Sequence, residues 1–235
     1  IASQVEEKLD AVLNEYDLGD KADEINTLAV KLAKEAASEF STSAWPRFVA
    51  GAMGPTTKTL SVTGGITFEE LEENFYQQAY SLVKAGSDLI LLETSQDMLN
   101  VKAATIGINR AFEELNTVLP VMISGTIEPM GTTLAGQSIE AFYISIEHIK
   151  PLSVGLNCAT GPEFMTDHIR SLSDLATSYV SCYPNAGLPD EEGCYHETPD
   201  SLSKKLRGFA DKGWLNIVGG CCGTTPAHIA AIREA

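Results

Sequence analysis

Short β-branched or apolar runs alternate with amphipathic helical patterns along almost the whole chain, and this alternation restricts the fold more than any other feature. The runs fall at residues 47–50, 88–92, 120–124, 153–156, 179–182 and 215–218. Five of them end near Glu93, Thr126, Cys158, Asn185 and Gly220, in steps of about 30 residues, the length that a strand, a helix and two loops require. Apolar periodicity predicts helices over residues 21–40, 67–85, 96–115, 137–146, 162–176, 198–211 and 226–235. Residues 1–16 also read as helical, with an acidic run along one side. The order is strand, loop, helix throughout, which predicts an α/β fold with parallel strands. The polar residues that stand out all lie at the C-terminal ends of strands, where open sheets and barrels alike place their sites. A barrel gathers such ends at one mouth, whereas an open sheet spreads them along an edge. An α/β barrel is therefore expected rather than an open sheet, with about six βα units visible, as one domain over residues 1–235.

Composition narrows the partners. With 235 residues, 44% of them hydrophobic, the chain can bury one sizeable core. A formal charge of −16 argues against a nucleic-acid backbone or an anionic membrane surface, both of which require basic patches. No apolar run approaches the ~18 residues of a membrane span, and no signal-peptide pattern opens the chain. The expectation is a soluble cytoplasmic protein acting on small molecules or beside other domains, with no nucleic acid and no membrane. Neither a serine–histidine–acid set nor a phosphate-binding glycine loop is visible.

The chemistry is concentrated in cysteine. Gly219-Gly220-Cys221-Cys222-Gly223 follows the last strand, and Gly155-Leu156-Asn157-Cys158 ends an earlier one. Neighbouring side chains on a strand point to opposite faces, so Cys221 and Cys222 can converge only where the strand has ended and glycine permits a sharp turn. Thr225-Pro226 then reads as a cap and first residue of a helix whose N-terminal amides favour negative charge nearby. Three thiols so placed point to an open zinc site, since three protein ligands leave one tetrahedral position for substrate or water. Five cysteines is an odd number without disulfide-framework spacing, which fits a reducing compartment. Inert buried thiols are the alternative for all five, and the expectation for Cys182 and Cys194. A vicinal disulfide between Cys221 and Cys222 is a further alternative. His196 is expected in a solvated loop, and His148, His168 and His228 at helix surfaces. Asn185, in Pro184-Asn185-Ala186-Gly187, reads by itself as a turn residue, and Glu93 as either a site carboxylate or the cap of the next helix.

These two cysteine strings resemble the homocysteine-binding module of the homocysteine S-methyltransferases. The segments Tyr183-Pro184-Asn185-Ala186-Gly187-Leu188-Pro189, Gly54-Pro55-Thr56 with Lys58-Thr59-Leu60-Ser61, and Glu197-Thr198-Pro199 are similar to the cobalamin-dependent methionine synthases within that group. The likeness runs from Tyr16 to the C-terminus. It implies a fold of the (β/α)8 TIM-barrel type of which the chain holds strands three to eight, with the first two strands and their acidic, glycine-rich segment missing. It implies Cys158, Cys221 and Cys222 as zinc ligands, Asn185 beside the metal, and Glu93 as acceptor for the ammonium group of homocysteine. The implied cofactors are Zn2+ here, with methylcobalamin and methyltetrahydrofolate bound by other domains of a larger protein.

The donor set suits that chemistry. A free thiol has a pKa near ~8.5 and is mostly protonated at neutral pH, whereas a coordinated thiol is deprotonated outright. Three thiolate ligands keep the complex anionic and a bound substrate sulfur nucleophilic, which favours alkyl transfer to sulfur over hydrolysis. Two other readings are a stand-alone enzyme using betaine or S-methylmethionine and a non-catalytic fragment with a structural zinc.

Overall fold

A computed structural model describes residues 21–235; the helix expected over residues 1–16 lies outside them. The fold is α/β, with six strands in the order β1-β2-β3-β4-β5-β6 and seven α-helices among the described residues. By its contacts the chain divides into two compact units, residues 1–122 and 123–235. Among the described residues no helix is long and apolar enough to cross a membrane.

The first unit contains α1 (Ala22–Phe40), β1 (Ala50–Met53), α2 (Phe68–Lys84), β2 (Leu89–Ser95) and α3 (Met98–Glu114). Strands β1 and β2 pair in parallel from Ala50↔Leu89 to Met53↔Leu92. Strand β1 starts three residues later than the 47–50 run implies. Asp88 accepts the Val49 amide at 2.7 Å, so a side chain occupies the position where a strand partner would sit, and Phe48 is left 69% exposed. Helix α2 opens with a reciprocal capping box between Thr67 and Glu70, a device worth ~1 kcal/mol. Its face carrying Leu71, Phe75, Ala79 and Leu82 is buried, as are Ala104, Ile108 and Ala111 of α3. The two helices approach so closely at Gly107 that a Cβ there would lie 2.7 Å from the Glu72 carbonyl oxygen.

The second unit holds most of β3 (Val121–Gly125), then α4 (Ile139–Ile146), β4 (Ser153–Asn157), α5 (Pro162–Leu175), β5 (Tyr179–Tyr183), α6 (Pro199–Ala210), β6 (Ile217–Val218) and α7 (Pro226–Glu234). Strands β4 and β5 pair in parallel from Ser153↔Tyr179 to Asn157↔Tyr183, and β5 and β6 through Ser181↔Ile217 and Cys182↔Val218. Burial on both sides explains the continuous apolar runs: every residue of β4 is buried. Gly155 is required where β4 meets β5, since a Cβ would fall 2.1 Å from the Ser181 carbonyl oxygen. Leu156, Met165, Ile169, Leu172 and Leu206 supply the core, each worth ~1.5–3 kcal/mol when fully buried. Cys182 joins this core, and burial pushes its thiol up to about 12, as expected of an inert cysteine. Cys194 does not join it; it is exposed, on a loop folded around Asp190.

Candidate metal centre

The second unit brings Cys158, Cys221 and Cys222 together. Cys158 follows β4 directly, and it and Ala159 both adopt left-handed backbone, with φ of 57° and 55°. Such residues cost ~1–2 kcal/mol each without glycine, so the surrounding structure holds this turn in place. Its closure is visible in the Thr160 amide, which donates to the Cys158 carbonyl at 2.6 Å. Cys221 and Cys222 lie past the end of β6, beyond Gly219-Gly220, as the turn requirement demanded. Their backbones are fixed by the β5–α6 loop: the Cys221 amide donates to the Pro184 carbonyl at 2.9 Å, and the Ala186 amide donates to the Cys222 carbonyl at 2.8 Å.

The sulfurs of Cys158 and Cys222 are 3.8 Å apart and those of Cys221 and Cys222 3.9 Å, with all three within 4.8 Å of one another. Three thiolates at ~2.3 Å around one tetrahedral zinc would be separated by ~3.8 Å, so the spacing and chemistry of this donor set fit a zinc-sized cation. Without a cation the group resists ionisation. The Cys221 thiol is pushed up by its contacts with Cys158 and Cys222 and by burial. Cys158 is drawn down by the Cys221 thiol, but Cys222 and burial outweigh that pull and raise it. A divalent charge among the three sulfurs reverses this preference.

The neighbouring polar groups are ordered around the cluster. Asn185 is buried at the end of β5, and its Oδ1 accepts the Cys222 amide at 3.1 Å. The structure thus places it against the cluster rather than in an exposed turn. Asn157, fully buried, accepts from the Ser124 hydroxyl at 2.6 Å and directs its Nδ2 toward the Cys221 sulfur at 3.9 Å. Tyr195 lies close to Gly223, next to Cys222, and burial first, then the charge of Cys222, pushes its phenol up to about 12. Thr225 caps α7 with Pro226 in the first turn, as expected. His228 departs from expectation: it is buried, with Nδ1 accepting the Thr225 amide at 3.1 Å and Nε2 donating to the Glu197 carbonyl at 2.9 Å. Its third place in the helix turns it back onto the cap, so it ties the β5–α6 loop to the helix behind the cysteines. His196 is exposed, paired with Asp190 in the loop.

Glu93 belongs to the first unit. It is 6% exposed near the end of β2, beside Thr94 at φ 55°. Capping α3 falls to Asp97, whose Oδ1 accepts the Leu99 amide at 2.9 Å. The same carboxylate holds Ser61 through its amide at 2.7 Å and hydroxyl at 2.9 Å, while Asn100 accepts the Leu60 amide at 2.9 Å and donates to the Lys58 carbonyl at 3.0 Å. The 54–66 loop is therefore anchored on the start of α3.

The sequence singled out the cysteines, Asn185 and Glu93 but missed Tyr195, Asn157 and His228. Asn157 adjoins Cys158 in the chain, which was a usable signal; Tyr195 and His228 are brought in by loop and cap geometry that no spacing rule reports.

Known proteins share this fold. The fold is similar to that of the homocysteine methyltransferase MmuM from Escherichia coli: its apo form superposes with a TM-score of 0.72 at 21% identity, over 92% of this chain and 73% of that one. The metallated form of the same enzyme gives 0.70 at 22% identity, over 90% and 70%. At such identity the likeness speaks for the fold alone. The family description "Homocysteine S-methyltransferase" matches residues 4–235, and the chain belongs to that family of methyltransferases.

Proposed function

We propose that residues 1–235 form the homocysteine-binding zinc domain of a cobalamin-dependent methionine synthase, in which Cys158, Cys221 and Cys222 are the metal ligands. The observation that carries this reading is the three-sulfur cluster, with spacings of 3.8 and 3.9 Å, built on strand ends in a homocysteine S-methyltransferase domain. When bound, zinc supplies positive charge that keeps the substrate sulfur deprotonated at neutral pH while three thiolates preserve its nucleophilicity. Methyl transfer then forms the sulfur–carbon bond of methionine as the donor–carbon bond breaks, its electron pair leaving with the donor. The segments around Tyr183, Gly54 and Glu197 favour methylcobalamin as that donor, recharged from methyltetrahydrofolate by other domains of the same protein.

The remaining roles fall to this chain's own side chains. Asn185 holds the Cys222 backbone through its Oδ1, which supports a role for it beside the metal. Glu93, buried at 6% exposure, accepts the substrate ammonium group, where a charge-assisted hydrogen bond contributes more than an exposed ion pair would. The test is metal content after dialysis for wild type and for Cys158→Ser, Cys221→Ser and Cys222→Ser. One zinc per wild-type chain and most of it lost in each variant is expected; full retention in all three removes the assignment.

A further inference from the structure

A fully buried side-chain amide has to find its partners within the protein, because leaving it unpaired costs ~1–3 kcal/mol. Asn157, the last residue of β4, is such an amide, on the strand face it shares with Ser153 and Gly155. Its Oδ1 accepts from the Ser124 hydroxyl of β3, also fully buried, at 2.6 Å, and its Nδ2 lies 3.9 Å from the Cys221 sulfur. Ser124 and Asn157 are 33 residues apart, and Asn157 and Cys221 are 64 apart. Three separate strand ends are thus joined in one line, from β3 through β4 to the turn after β6. With the hydroxyl donating to the amide oxygen, the amide N–H is the group turned toward sulfur.

That direction has a chemical consequence. A protonated thiol is a weak acceptor, whereas a thiolate accepts a strong, charge-assisted hydrogen bond. A buried N–H offered to Cys221 therefore suits a metal-bound thiolate, and a hydroxyl donating into the same amide polarises it further. Groups behind a metal ligand commonly orient it and tune its donor strength in this way. Cys221 is also held at its backbone, where its amide donates to the Pro184 carbonyl at 2.9 Å. Asn185, by contrast, reaches its cysteine at the backbone amide of Cys222.

We propose that Ser124 and Asn157 act in series as positioning residues for Cys221: they hold its sulfur as a metal ligand and draw part of its charge off through the Asn157 N–H. This rests on the zinc reading above. Asn157→Leu keeps the size of the side chain and removes the amide, and Ser124→Ala removes only the hydroxyl. Wild type, the two single variants and the double variant, each as the full chain, are loaded with Co2+ and their near-ultraviolet thiolate-to-cobalt charge-transfer bands compared. Zinc affinity is measured on the same proteins by competition with a chelator. In Asn157→Leu the band should move to lower energy, since a thiolate without its donor gives up charge more readily, and zinc should bind roughly tenfold or more weakly. Ser124→Ala should move both in the same direction by less, and should add nothing in the Asn157→Leu background, because its effect runs through the amide. Independent, additive effects of the two substitutions overturn the proposal. So does an unmoved band in Ser124→Ala, which decides the matter even where Asn157→Leu fails to fold or to hold cobalt. A wild type with no charge-transfer band overturns the zinc reading itself, and this proposal with it.

Discussion

Gly223→Ala is the change in which backbone and packing reasoning meet at the site. Gly223 has φ 76°, a left-handed conformation that costs an L-residue ~1–2 kcal/mol. The new methyl group would also lie 2.3 Å from Tyr195 Cγ and 2.4 Å from its Cβ, contacts that force a shift and cost a further ~1–3 kcal/mol. Together these predict ~2–5 kcal/mol of destabilisation, and Cys222, next in the chain, should bind metal less tightly. Urea unfolding of the metal-free protein measures the first effect and competitive zinc titration the second. Because Tyr195 Cβ is itself 2.4 Å away, Tyr195→Ala should relieve only part of the steric strain, whereas Tyr195→Gly should recover all of the steric part and leave the conformational part. A Gly223→Ala protein within ~0.5 kcal/mol of wild type would refute this reasoning, and so would equal relief by the two Tyr195 variants.

Glu93→Gln should weaken homocysteine binding about tenfold or more while leaving zinc in place, as expected for a buried charge-assisted hydrogen bond of ~1.5–3 kcal/mol; calorimetry with homocysteine and with a similar thiol lacking the amino group separates a lost ammonium contact from a general effect. Asp97→Ala removes the α3 cap and both Ser61 contacts at once, so a loss of ~2–4 kcal/mol is expected together with faster proteolysis in the 54–66 loop; an unchanged urea midpoint would contradict it. Glu197 is held below the ordinary carboxylate range: burial acts to raise it, but hydrogen bonds from Lys205 and Ser201 prevail. A lowered folded-state pKa gives stability that is fully present above the unfolded value and lost as pH falls through the folded one. Glu197→Gln should therefore melt lower than wild type at pH 7, with the gap closing below pH ~4; a gap independent of pH would show that the carboxylate charge is not involved.

Much of this fold is legible in the sequence because strands buried on both faces must be continuously apolar and helices packed on one face must be periodic. Strands β2 to β5 and all seven helices fall within a few residues of their expected places. The ends drift where side chains replace backbone partners. Asp88 takes the Val49 amide and delays β1; Asn216 Oδ1 takes the Val180 amide at 2.9 Å, and β6 is confined to Ile217–Val218. At the site, glycine-permitted turns made the convergence of the cysteines readable. The supporting residues were hidden because their roles are tertiary: Tyr195 reaches Gly223, beside the cluster, from a loop, and His228 turns back on its own helix cap instead of facing solvent. Cys194 carried no pattern to distinguish it from Cys182, and only the fold separates the exposed thiol from the buried one.

In the function proposed, three thiolates hold a metal open to the substrate's sulfur. X-ray absorption of the zinc-loaded protein tests it most directly. The expected first shell has three sulfurs at ~2.3 Å, gains a fourth sulfur when homocysteine is added and does not gain one when methionine is added. A shell that already contains four sulfurs, or one that homocysteine leaves unchanged, would contradict it.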